Sequence, residues 1–167
     1  VVTLSAENWP GWRGPNGDGI SNEKIAPKKW SDTKNIVWKK PIQGKGHSSP
    51  IVWGDRVFVT TSLPDQNERR LLCLDRLTGK VLWNNLVVKS LPESIHRLNS
   101  RASGTPATDG RQIFVTFMRA EGKKVIAPNV GSDRMITPGK IIVAAYNFNG
   151  MLKWKSNVGD FVSAHGF

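Results

Sequence analysis

Histidine occurs three times in this chain, at His47, His96 and His165. Neutral imidazole is the commonest transition-metal ligand, and the ring also donates and accepts protons near neutral pH. His47 stands two residues before Ser49-Pro50. His96 precedes Thr105-Pro106, with Asn99, Ser100 and Arg101 between them. His165 falls where a third run of that kind would begin. Asn99 adds a donor and an acceptor, and Arg101 adds a positive charge. Together these side chains are candidates for a polar ligand site, and an anionic or carbonyl-bearing ligand would suit them best. The plainer alternative is that each imidazole bonds a backbone carbonyl and steadies its own loop.

The elements that would position them are repeats. Cys73-Leu74-Asp75-Arg76-Leu77-Thr78-Gly79-Lys80-Val81-Leu82-Trp83 reads as strand, tight turn, strand. Gly79 supplies the positive φ that closes such a turn without steric cost, and Asp75 and Thr78 can bond its backbone. Ala145-Tyr146-Asn147-Phe148-Asn149-Gly150-Met151-Leu152-Lys153-Trp154 repeats the pattern with a shorter turn. Upstream, the run from Ser49-Pro50 through Val57-Phe58-Val59-Thr60 matches Thr105-Pro106 through Ile113-Phe114-Val115-Thr116 without a gap. Each repeat therefore holds four short strands, the mark of a β-propeller. If innermost strands line a channel, the links into them open onto one rim. That places the three histidines on a shared face.

These residues carry a family resemblance. The tryptophan docking motif of quinoprotein-type propeller repeats runs Ala-x-Asp-x-x-Thr-Gly-x-x-x-Trp. Asp75, Thr78, Gly79 and Trp83 match it, with Cys73 in the Ala position. The second copy keeps Ala145, Gly150 and Trp154, with Asn147 and Asn149 at the Asp and Thr positions, and Trp38 ends a lone earlier strand. The openings Trp9-Pro10-Gly11-Trp12-Arg13-Gly14-Pro15 and Gly44-Lys45-Gly46-His47-Ser48-Ser49-Pro50 add to it. The chain thus resembles the PQQ-like β-propeller proteins of environmental bacteria. The resemblance implies an all-β fold, a propeller of four-stranded antiparallel blades, of which this chain carries about two plus an N-terminal closing strand. It also implies Trp38, Trp83 and Trp154 buried between blades, and export to the periplasm or outside the cell.

On this reading residues 1–35 form a Trp/Gly/Pro-rich segment that packs on the propeller, and 36–167 form a partial propeller. The latter comprises a lone outer strand at 36–42, blades at about 47–88 and 102–158, and the start of a third at 159–167. A propeller needs about four to eight blades to close. The expected partners are therefore the remainder of a longer propeller or other copies of the chain.

The formal net charge is +11, with the basic residues spread among strands and turns (Lys39, Lys40, Arg69, Arg70, Lys123, Lys124). This is the pattern of a solvated surface, or of attraction to another protein or an anionic ligand. Nucleic-acid modules interleave aromatics with the basic groups, whereas these Trp residues are committed to docking, so nucleic acid is not an expected partner. The single Cys73 excludes an internal disulfide framework and reads as a buried, inert thiol. No stretch approaches the roughly 18 apolar residues of a membrane span. Val1-Val2-Thr3-Leu4-Ser5-Ala6 reads as the remainder of a cleaved leader. Asn16-Gly17-Asp18-Gly19 has oxygen ligands at calcium-like spacing but lacks a terminal Glu, so a tight turn is expected. Residues 61–70 read as a polar loop, and the matching loop of the second repeat, about 118–139, is longer.

No catalytic residue or metal ligand set emerges, and no cofactor is expected. The functional expectation is a non-catalytic, exported PQQ-like propeller acting as a ligand- or protein-binding scaffold. The alternative implied by the resemblance is a PQQ-dependent quinoprotein dehydrogenase, binding PQQ with calcium, whose site lies mostly in blades outside this chain.

Overall fold

Alternating apolar residues with glycine turns give two antiparallel sheets. A computed structural model describes residues 7–24 and 27–167. The stretch 1–6, read above as a leader remnant, lies outside the described residues. The first sheet has the order β1-β2-β3-β4, formed by β1 (Ile51–Trp53), β2 (Arg56–Leu63), β3 (Glu68–Asp75) and β4 (Val81–Lys89). The second contains β5 (Ala107–Thr108), β6 (Gln112–Ala120), β9 (Gly139–Asn147) and β10 (Leu152–Phe161), ordered β10-β9-β6-β5. Both are four-stranded blades, and no α-helix is present among the described residues. The all-β, blade-type architecture read from the sequence is the one observed.

The seam between the blades is the core. Phe58, Leu71 and Cys73 of the first sheet pack with Val115, Phe117, Ala144 and Tyr146 of the second, all buried. Trp83 fits this layer, its ring 5.9 Å from Phe58 and stacked 6.4 Å from Tyr146. Its indole Nε1 donates to the Phe148 carbonyl at 3.0 Å. Trp38 makes the same joint one blade earlier. Its Nε1 donates to the Arg76 carbonyl at 2.8 Å, and its ring lies where a Cβ on Gly79 would come within 2.6 Å.

Several expectations change. Trp154 is not buried: it is 43% exposed, touching Phe114, and no further blade covers its face among the described residues. Residues 36–42 join no ladder among the described residues, since a strand needs an edge to pair with. The region 61–70 is not a polar loop. β2 runs on to Leu63, a single 3-10 turn Pro64–Gln66 reverses the chain, and β3 starts at Glu68. Consequently Arg69, counted above among spread surface charges, is 1% exposed. The long loop contains a small hairpin of β7 (Val125–Ile126) and β8 (Met135–Ile136), too short to show a period of two. In this region Ala127 and Ile136 pack with Ala164 and Val130 as a second apolar cluster.

The N-terminal segment is anchored at Trp9 and Pro10. Trp9 exchanges two backbone hydrogen bonds with Val52, and Thr108 N–H donates to the Pro10 carbonyl. The segment thus ties together the innermost strands of both blades. Trp12 and Trp30 do not join that packing, being 69% and 70% exposed. At Asn16-Gly17-Asp18-Gly19, where a tight turn is expected, the chain bends back so that Gly19 N–H donates to the Arg13 carbonyl.

Candidate functional site

The links that feed the innermost strands lie side by side. His47 and Ser48 N–H groups both donate to the Ala102 carbonyl at 3.1 Å, and Ser49 N–H donates to Thr105 Oγ1. One link further on, His96 N–H donates to the His165 carbonyl at 3.0 Å.

A buried ion cluster fixes the middle link. Glu93, 2% exposed, accepts from Arg69 Nη2 at 2.6 Å. The Glu93 backbone carbonyl accepts from Arg101 Nε and Nη2 at 3.2 and 2.8 Å. Removing charges from water costs several kcal/mol per ion unless partners replace the lost hydration, so these three groups hold one another. Arg101 also sits at φ 61, a left-handed conformation that this anchoring stabilises. Two of its guanidinium nitrogens are therefore engaged inside the link, while the side chain stays partly exposed beside it.

Asn99 is likewise an organiser. Its Oδ1 accepts from Ser100 N–H, Arg101 N–H and the Ser103 hydroxyl, while its Nδ2 donates to the His165 carbonyl at 3.1 Å. What remains at the surface is a pair of imidazoles. His96 and His165 are exposed, with ring centroids 6.0 Å apart. His47 is exposed on the neighbouring link and has no ring contact with them among the described residues. So the structure brings together two of the three histidines.

Their hydrogen bonds set their tautomers. Leu98 N–H donates to His96 Nδ1 at 3.3 Å. Asn129 Oδ1 accepts from Ala164 N–H, which leaves its Nδ2 as the donor to His165 Nδ1 at 2.9 Å. With both Nδ1 atoms accepting, each neutral ring carries its proton on Nε2. The pair thus offers two N–H donors. A metal at Nε2 would instead require a proton on Nδ1, opposed to an existing donor. Asn129 was missed in the sequence, and its only signal was the unusual length of the loop carrying it.

Two carboxylates elsewhere are tied into turns. Asp75 Oδ1 accepts from Leu77 N–H, Thr78 N–H and the Thr78 hydroxyl, and those bonds hold its carboxyl below the usual range, the hydroxyl first. The Asp109 carboxyl is held low by Gln112 and Arg111 N–H. Burial pushes the Cys73 thiol up to about 11.

Residues 29–160 match the family described as outer membrane protein assembly factor BamB. The chain belongs to this PQQ-like propeller family. A comparison with curated proteins found no match. Within the BamB-type family frame, the Trp83 joint links the first blade to the turn of the second, and Trp38 docks on the turn of the first. A calcium-held quinone, which the name of the repeat raises, would need convergent carboxylate and amide oxygens. The described residues do not fit it. No group of three or more potential metal-ligating side chains occurs among them, Asp75 and Asp109 are committed to turns, and Glu93 is committed to two arginines.

Proposed function

We propose that this chain is part of a non-catalytic, exported propeller that acts as a binding scaffold, with the rim built from His96 and His165 as its recognising surface. The observation that carries this reading is the convergence of two successive links, through the His96 N–H to His165 carbonyl bond and the 6.0 Å ring separation. Polar groups from different loops on a rigid sheet scaffold are the usual form of a recognition site. Two Nε2–H donors side by side suit a carbonyl or carboxylate acceptor. The family, described by an outer membrane assembly factor, is consistent with protein partners and with the periplasm. No helix among the described residues is long and apolar enough to cross a membrane.

The test has two arms. Equilibrium dialysis with PQQ and calcium should leave no bound cofactor absorbance, and a saturable quinone band would favour the dehydrogenase alternative. Fractionation of cells expressing the natural gene should recover the protein outside the cytoplasm. Recovery in the cytosol would overturn the exported reading.

A further inference from the structure

The outer part of the blade seam holds a cavity whose lining does not include His96 or His165. It measures about 230 Å³ and opens between β4 of the first blade and β9 and β10 of the second. Its floor is apolar, made by Val87, Val88 and Ile142, each buried. Its walls carry Lys89, Arg119 and Lys155, one cation from each of three strands. No carboxylate lines it.

The three cations differ in what they have left to give. Lys155 Nζ donates to the Val87 carbonyl at 3.0 Å, which aims the ammonium across the seam and leaves two of its three protons unused. Lys89 makes no ion pair among the described residues. The carboxylate of Glu68, opposite it in the ladder, is taken by Arg70 at 2.5 Å. Arg119 is held by Glu121 at 2.9 Å and adds a partly neutralised charge at the wall. Ser156 and Asn157 bring further polar groups to the lining. A concave site with a small apolar floor and a few convergent donors is the usual form of a ligand pocket.

We infer that this seam cavity binds a carboxylate carried on a short aliphatic stem. The stem would cover Val88 and Ile142, and the carboxylate would accept from Lys89 and Lys155. A bare inorganic anion would leave the apolar floor wet, so the chemistry selects an amphipathic acid over phosphate. Such a group reaches the cavity either as a free small diacid or as a glutamate side chain of a partner protein.

The experiment is a titration of the whole chain followed by amide chemical shifts, with glutarate, an acetylated tetraglutamate peptide and inorganic phosphate as separate probes. Glutarate or the peptide should shift Val88, Ser156 and Asn157 in a saturable way. The Lys89→Gln/Lys155→Gln variant should weaken that binding at least tenfold, whereas Lys123→Gln, which does not line the cavity, should not. Peptide binding more than tenfold tighter than glutarate identifies a protein partner, and equal binding identifies a free acid. Equal response to phosphate, shifts scattered over the basic surface, or an unchanged affinity in the double variant would overturn the inference. Both lysines are exposed, and an unchanged thermal midpoint shows that the variant is folded.

Discussion

Trp83 in the first blade lies against Gly150 in the second, so closely that a Cβ on Gly150 would come within 2.9 Å of the indole ring. Gly150 also has φ 83, where an L side chain costs about 1–2 kcal/mol before any contact is counted. Two independent constraints therefore select glycine there. Gly150→Ala should lower stability by at least that amount, and Trp83→Ala by about 3 kcal/mol, the lower end for a large aromatic because the ring is only half-buried. In chemical denaturation the double variant should lose less than the sum of the two. Additive losses would show that the ring and the glycine do not share one joint.

Glu93 should be the most sensitive acidic residue. Glu93→Gln leaves Arg69 buried without its counter-charge, a change that costs about 3–5 kcal/mol when one partner of a buried pair is removed. Arg69→Met with Glu93→Leu should recover most of that loss, since an apolar pair removes both desolvation penalties. A double variant no more stable than Glu93→Gln would refute this account.

Cys73 should be silent to thiol reagents in the folded protein. Its thiol is buried and pushed up to about 11, so the reactive thiolate is scarce at pH 8. Labelling with a disulfide reagent should rise only as denaturant unfolds the sheets, tracking the loss of tryptophan fluorescence. Rapid stoichiometric labelling under native conditions would contradict the packing of the seam.

The two turns at Asp75 and Asn147 make an internal control for acid sensitivity. Asp75 is held below its ordinary value of 3.8, so its contribution is complete above that value and is lost as pH falls through the lower folded value. Asn147 accepts from Asn149 and Met151 N–H in the equivalent turn and cannot titrate. The thermal midpoint of the wild type should therefore approach that of Asp75→Asn as pH drops below about 4. A gap that stays constant with pH would assign the low pKa to something other than this turn.

The blades were legible in the sequence because their determinants are local. The Gly79 turn, the Val57-Phe58-Val59-Thr60 strand that recurs as Ile113-Phe114-Val115-Thr116 and the recurring Trp are each written within a dozen residues. Arg69 was not legible, because its burial depends on Glu93, which meets it only after β4 has crossed the sheet. Asn129 was hidden for the same reason: its partners Ser163, Ala164 and His165 lie more than thirty residues downstream. The nearness of His96 to His165 was legible only in part. Repeat phase brought the links together, but which imidazoles touch was decided by the Asn99 and Asn129 side chains.

The tryptophan joints all point the same way along the chain: Trp38 covers Gly79, and Trp83 covers Gly150. In each case the ring is made before the turn that receives it. On a ribosome, therefore, every nascent blade emerges to meet an indole already waiting, and assembly proceeds like overlapping shingles laid from one end. A circular permutation that cut between a tryptophan and its glycine would reverse the order of synthesis for that one joint while keeping every native contact. The final fold would be the same, but the aromatic face would be covered late instead of early, and losses would appear in folding yield rather than in equilibrium stability.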